Sequence, residues 1–134
     1  MSMRCIVVTP EKTALSIDTT FAVLPLVDGE YGVLPGHAAL IARLGAGELR
    51  ITAGEGVMTN YYVEGGFVEV LHDTIALMTM YAVPAKELDL AQCEEMLEQA
   101  ENSPTDTHAL IKIRQEKLQD ARARVKLAQK MAAK

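Results

Sequence analysis

The sequence predicts a mainly β N-terminal antiparallel sandwich followed by a C-terminal α-helical hairpin. All nine glycines lie between Gly29 and Gly66, and all four tyrosines and both phenylalanines precede Pro84. Over that stretch, short β-branched segments alternate with turn residues, the pattern of an all-β domain over residues 1–84. After it, apolar residues recur with helical period, placing a two-helix arm over residues 85–134.

The first strand reads as residues 4–9, and residues 14–27 hold two strands separated by a kink. Strands at 41–43, 48–52, 57–64, 67–71 and 74–80 follow. Turn signals separate them at Asp28-Gly29, Pro35-Gly36, Gly54-Glu55-Gly56, Gly65-Gly66 and His72-Asp73. Gly45-Ala46-Gly47 and Gly54-Glu55-Gly56 read as hairpin loops, and no phosphate-binding glycine motif surrounds any of these glycines. The connections are too short for the crossover helices of a parallel sheet. Methionines 58, 78, 80 and 96 read as core filler.

In the second half, Asp89 is placed to cap a first helix, with Gln92 three residues on in capping-box spacing. Leu90, Cys93, Leu97 and Ala100 then share one face. Asn102-Ser103-Pro104 ends that helix, and Ser103 is read as the cap of a second, with Pro104 in its first position. Ile111, Leu118, Ala121, Val125, Ala128 and Ala132 form its expected stripe. Residues 86–101 carry six acids and one base, whereas residues 112–134 carry eight bases and two acids. Exposed ion pairs between such helices are worth under about 1 kcal/mol each, and an alanine-rich seam buries little area, so the hairpin is expected to be loosely held.

The chain has 134 residues, and its net charge of −5 argues against a general nucleic-acid binder. No apolar run approaches the roughly 18–20 residues of a bilayer span, so no direct bilayer insertion is expected. The N-terminal residues lack the pattern of a secretory signal and run directly into strand-like sequence. Cys5 and Cys93 have no CxxC partner or neighbouring His cluster, and read as two buried thiols in a reducing compartment. His37, His72 and His108 form no metal-ligand spacing, no catalytic constellation stands out, and no cofactor is expected.

One block is more specific. Asp28-Gly29-Glu30-Tyr31-Gly32-Val33-Leu34-Pro35-Gly36-His37-Ala38-Ala39-Leu40, followed by Gly47-Glu48-Leu49-Arg50-Ile51 and Glu64-Gly65-Gly66-Phe67-Val68-Glu69-Val70, resembles the epsilon subunit of F-type ATP synthases. Val8-Thr9-Pro10-Glu11 fits the same family, and the resemblance extends through the helical arm. It implies a noncatalytic rotor subunit in the central stalk of a proton-translocating enzyme. The sandwich would dock on the gamma subunit and on the ring of c subunits, with Glu30 and His37 facing the ring. The arm would reach the alpha and beta catalytic subunits and inhibit ATP hydrolysis when extended along gamma. Arg122, Arg124 and Lys126 are its candidate inhibitory contacts. The implied location is peripheral, on the cytoplasmic face of a bacterial plasma membrane, with a plastid thylakoid as the alternative.

The residues also have plainer readings. His37 follows a Pro-Gly turn that would aim its ring whatever the partner. Arg122, Arg124 and Lys126 equally suit a solvated basic face. Some family members bind ATP through Ile or Leu, Asp, two variable residues and Arg-Ala. Here the stretch is Leu88-Asp89-Leu90-Ala91-Gln92-Cys93, without the guanidinium that grips phosphate, so Asp89 is a weak ATP candidate. Two alternative functions stay open: a small ATP-sensing module, and a freestanding β-sandwich binding module with a helical oligomerisation tail.

Overall fold

The computed structural model describes residues 2–133 of the protein. Ten strands precede two helices: β1 (Met3–Val8), β2 (Thr13–Thr19), β3 (Phe21–Leu26), β4 (Gly29–Val33), β5 (Leu40–Arg43), β6 (Gly47–Thr52), β7 (Met58–Glu64), β8 (Phe67–Leu71), β9 (Thr74–Met78), β10 (Tyr81–Pro84), α1 (Leu90–Glu101) and α2 (His108–Ala132). The chain divides into two compact units, Met1–Pro84 and Ala85–Lys134.

The first unit is two five-stranded sheets, ordered β2-β1-β9-β8-β5 and β10-β7-β6-β3-β4. Each sheet contains two hairpins: β1–β2 and β8–β9 in the first, β3–β4 and β6–β7 in the second. Every pairing is antiparallel except β1 with β9, which run parallel from Arg4 opposite Thr74 to Val8 opposite Met78. No crossover helix is needed there, because the connection between these two strands runs through the rest of the sandwich. Met3, Cys5, Val7, Ala22, Leu24, Val33, Leu49, Ile51, Val63, Val68, Val70, Ile75 and Leu77 alternate inward along the strands and form one core between the sheets.

Buried threonines mark two of the places where the chain changes sheet. At the β2–β3 corner, the fully buried Thr19 hydroxyl lies 2.7 Å from the Thr52 carbonyl and 3.0 Å from that of Phe21. Between β9 and β10, the Thr79 hydroxyl accepts from the Glu64 N–H at 3.2 Å and lies 3.0 Å from the Glu64 carbonyl. Each hydroxyl satisfies backbone groups that a corner removes from the ladder. This corner corrects the single strand expected over residues 74–80: the chain leaves the first sheet after Met78 and re-enters the second as β10. Gly66, at φ +93°, is packed so closely beneath it that an added Cβ would overlap the Met78 carbonyl oxygen. The glycine pair is structural here.

Other expectations need correction. Gly45-Ala46-Gly47 is not a hairpin loop, because β5 pairs with β8 in one sheet and β6 with β3 and β7 in the other. Gly54-Glu55-Gly56 does close the β6–β7 hairpin. β4 was hidden by its glycines, yet pairs with β3 from Val33 opposite Ala22 to Gly29 opposite Leu26. Methionines 58, 78, 80 and 96 are exposed; Met78, for example, follows the inward Leu77 and so must point outward. Among the described residues, the buried methionine is Met3.

In the second unit, Asp89 caps α1, its carboxylate accepting from the N–H groups of Ala91 at 3.0 Å and Gln92 at 3.5 Å. Ser103 does not start α2. Its hydroxyl donates to the Gln99 carbonyl at 3.2 Å and finishes α1, while Thr107 is the extended N-cap of α2 and accepts from Leu110 N–H. The Arg114 guanidinium donates from Nε and Nη2 to the Glu101 carbonyl, supplying donors to the C-terminal end of α1. Leu97, Ala100, Leu118 and Ala121 form one apolar cluster of this unit. Ile111 is exposed rather than part of it, and Leu127, outside the expected stripe, is buried.

Candidate functional site

β4 and the turn after it place Glu30 and His37 on different sides of one edge strand. Adjacent strand residues face opposite ways, so Glu30 lies on one face of β4 and Tyr31 on the other. Arg50 on β6 donates from Nη1 to Glu30 at 2.7 Å and to Glu48 at 3.2 Å, and Asn60 on β7 donates to Glu48 at 2.6 Å. The bond to the Glu30 carboxylate does most to hold the Arg50 guanidinium above its usual pKa, opposed by partial burial and assisted by Glu48. Glu30 therefore stands on the surface already paired.

His37 belongs to a separate cluster. Leu34, Pro35, Gly36 and His37 form a turn in which His37 N–H donates to the Leu34 carbonyl at 3.1 Å. Proline in its second position and Gly36 at φ +83° in its third fit a type II turn. Gly36 N–H donates to the Asp73 carboxylate at 2.7 Å. The His37 ring lies edge-on to Tyr31, with Nε2 2.7 Å from the tyrosine hydroxyl and Nδ1 2.6 Å from the Ala38 carbonyl. No bond joins Glu30 to His37 among those described.

A second surface lies on the outer face of the first sheet. Phe67 opposes Met78 across β8 and β9, and Ile41 opposes Glu69 across β5 and β8. Ile41, Phe67, Leu71 and Met78 are all exposed, Ile41 by 72%. Each points away from the core because Ala42, Val68, Val70 and Leu77 point into it. A grouped set of large apolar side chains with Arg43 and Glu69 among them has the character of an interface.

In the helical unit, Arg122 and Lys126 are exposed one turn apart on α2. Arg124 points elsewhere, its Nη1 lying 3.6 Å from Met96 Sδ on α1. The three basic residues thus do not share a face. Asp89 is engaged in capping, and Cys93, in the place of the motif's alanine, is buried. Burial pushes the Cys93 thiol up, the Arg124 charge pulls it down and Asp89 pushes it up. Among the described residues, no group of three or more His, Cys, Asp or Glu could hold a metal ion, and no helix is long and apolar enough to cross a membrane.

Sequence reasoning missed Tyr31, Arg50 and Asp73. Arg50 and Glu48 were legible as same-face neighbours two residues apart on a strand. Asp73 was not, since 37 residues separate it from Gly36.

The family model for the β-sandwich domain of the ATP synthase delta/epsilon chain matches residues 2–85. The ATP synthase epsilon chain of Rhodopirellula baltica is 38% identical over 126 residues, covering 94% of this chain and 98% of the relative. That of Leptospira borgpetersenii is 36% identical over 106 residues, covering 78% and 83%. The protein belongs to the ATP synthase epsilon chain family. The same fold occurs in a chain of the Euglena gracilis mitochondrial ATP synthase, with a TM-score of 0.82 at 21% identity, covering 99% of this chain and 82% of that one.

Proposed function

We propose that this chain is the noncatalytic central-stalk subunit of a proton-translocating F-type ATP synthase, coupling the c-ring to gamma through its sandwich. Family membership supports the stalk assignment, and the apolar outer face formed by Ile41, Phe67, Leu71 and Met78 carries the docking assignment. Gamma is the partner assigned to that face. The c-ring is assigned to the β4 edge of the second sheet, which bears Glu30 on one side and His37 in the following turn on the other. The helical arm is assigned to modulation of ATP hydrolysis at the alpha and beta subunits, with Arg122, Arg124 and Lys126 supplying positive charge to an acidic partner. The protein would be peripheral, on the cytoplasmic face of a bacterial plasma membrane.

Placing a carboxylate in the apolar face tests the docking assignment. Phe67→Asp and Met78→Asp should each weaken binding of gamma by at least tenfold while the sandwich keeps its circular dichroism spectrum and cooperative unfolding, because an interface charge without a partner is costly. Gamma affinity unchanged in both variants would move the docking surface elsewhere.

A further inference from the structure

We infer that Tyr31 and Asp73 are positioning residues that lock the turn at residues 34–37 into its docking shape before a partner arrives. This rests on the reading of the Glu30 and His37 surface as the side facing the c-ring.

The turn is held from three directions. Its own bond closes it, from His37 N–H to the Leu34 carbonyl. From outside, the Asp73 carboxylate accepts the Gly36 N–H at 2.7 Å, a short bond to an ionised acceptor. Asp73 is itself fixed. It stands with His72 in the β8–β9 connection, at φ +57° and +49° respectively, the positive pair of a type I′ hairpin turn. Its carbonyl accepts the Arg4 N–H at 3.0 Å, tying that turn to β1. Asp73 thus fastens the connection that follows β4, in the second sheet, to the β8–β9 hairpin and to β1 of the first.

The third hold acts on the ring. A carbonyl can only accept, so the bond to Ala38 places a hydrogen on Nδ1 of His37. In the neutral ring Nε2 is then an acceptor, and the Tyr31 hydroxyl donates to it at 2.7 Å. The two bonds fix the tautomer and the ring plane together. Leu34, 59% exposed at the first position of the turn, is carried into place by the same frame. A loop ordered in advance loses less conformational freedom on binding, and this is what Tyr31 and Asp73 contribute.

The test uses the full-length chain with Asp73→Ala, Asp73→Asn and Tyr31→Phe, gamma, and a purified c-ring. In the free chain, Asp73→Ala should speed exchange of the Gly36 amide about tenfold, the scale of one hydrogen bond to a charged group. Asp73→Asn keeps an acceptor oxygen and should restore most of the protection. Tyr31→Phe should move the Nε2 nitrogen resonance of His37. Binding of the chain–gamma complex to the c-ring should weaken about tenfold for Asp73→Ala and Tyr31→Phe and recover with Asp73→Asn, while affinity for gamma stays constant. Unchanged exchange at Gly36, or c-ring binding that neither Asp73→Ala nor Tyr31→Phe weakens, overturns the positioning role alone. A wild-type chain that binds gamma but not the c-ring overturns the reading of the surface itself.

Discussion

The two units are built to different standards of packing. In the sandwich, Leu24, Leu49, Ile51, Ile75 and Leu77 are fully buried, and branched side chains from both sheets interlock in one core. In the helical unit, Ala100, Ala121 and Ala128 are buried, and Leu118 and Leu127 are the largest buried side chains among the described residues. A methyl group buries far less apolar area than a leucine or isoleucine side chain, at roughly 25 cal/mol per Å² removed from water. The first unit is therefore expected to be the more stable and the second the easier to open. Burial and side-chain size already contain that difference, before any partner is considered.

The largest effect expected is in the sandwich core. Leu77→Ala should cost about 3 kcal/mol, within the usual span for a fully buried leucine that leaves a cavity. Chemical denaturation followed by a β-sheet signal would show it; a loss below about 1 kcal/mol would mean that the core is loosely packed after all. Gly66→Ala comes next, at about 2 kcal/mol or more, because it combines a φ of +93° with overlap at the Met78 carbonyl.

The thiols sharpen the comparison. Burial pushes Cys5 from the ordinary value of 9.0 up to about 12, whereas the rise at Cys93 is opposed by Arg124. A thiol whose pKa is raised by folding stays protonated in the native state while the unfolded chain ionises. Its contribution is complete below about pH 9 and is lost at about 1.4 kcal/mol per unit as pH rises toward 12. Cys5→Ala should flatten that alkaline decline, and an unaltered slope would show that the thiol is not its source. At neutral pH, a thiol reagent should label Cys93 at least tenfold faster than Cys5, since opening a weak helical pair costs less than opening the sandwich. Equal rates would erase the distinction between the units. The smallest effect expected is at the surface: Glu30→Gln should change stability by under about 1 kcal/mol, as for other exposed ion pairs.

Much of this was legible where a local rule decides the structure. Alternation located most strands, glycine and aspartate located their turns, and Asp89 announced the start of α1. Legibility failed where the decisive contact is distant. The change of sheet at Thr79 is hidden because its hydroxyl meets the N–H and carbonyl of Glu64, 15 residues away in sequence. β4 is rich in glycine and becomes a strand only because β3 offers it a ladder. One local choice was ambiguous as well: Ser103 and Thr107 both suit an N-cap, and the Ser103 hydroxyl turns back to Gln99. The candidate site shows the same limit: Glu30 and His37 were named through family resemblance, but the residues that hold them, Arg50, Tyr31 and Asp73, emerge only in three dimensions.

The most direct test of this account is ATP hydrolysis by a reconstituted alpha–beta–gamma complex, measured with the full-length chain, with a chain ending at Glu101, and with neither. Both forms should bind and only the full-length chain should inhibit, if docking belongs to the sandwich and regulation to the arm. Failure of the truncated chain to bind, or equal inhibition by both forms, would contradict that division of labour.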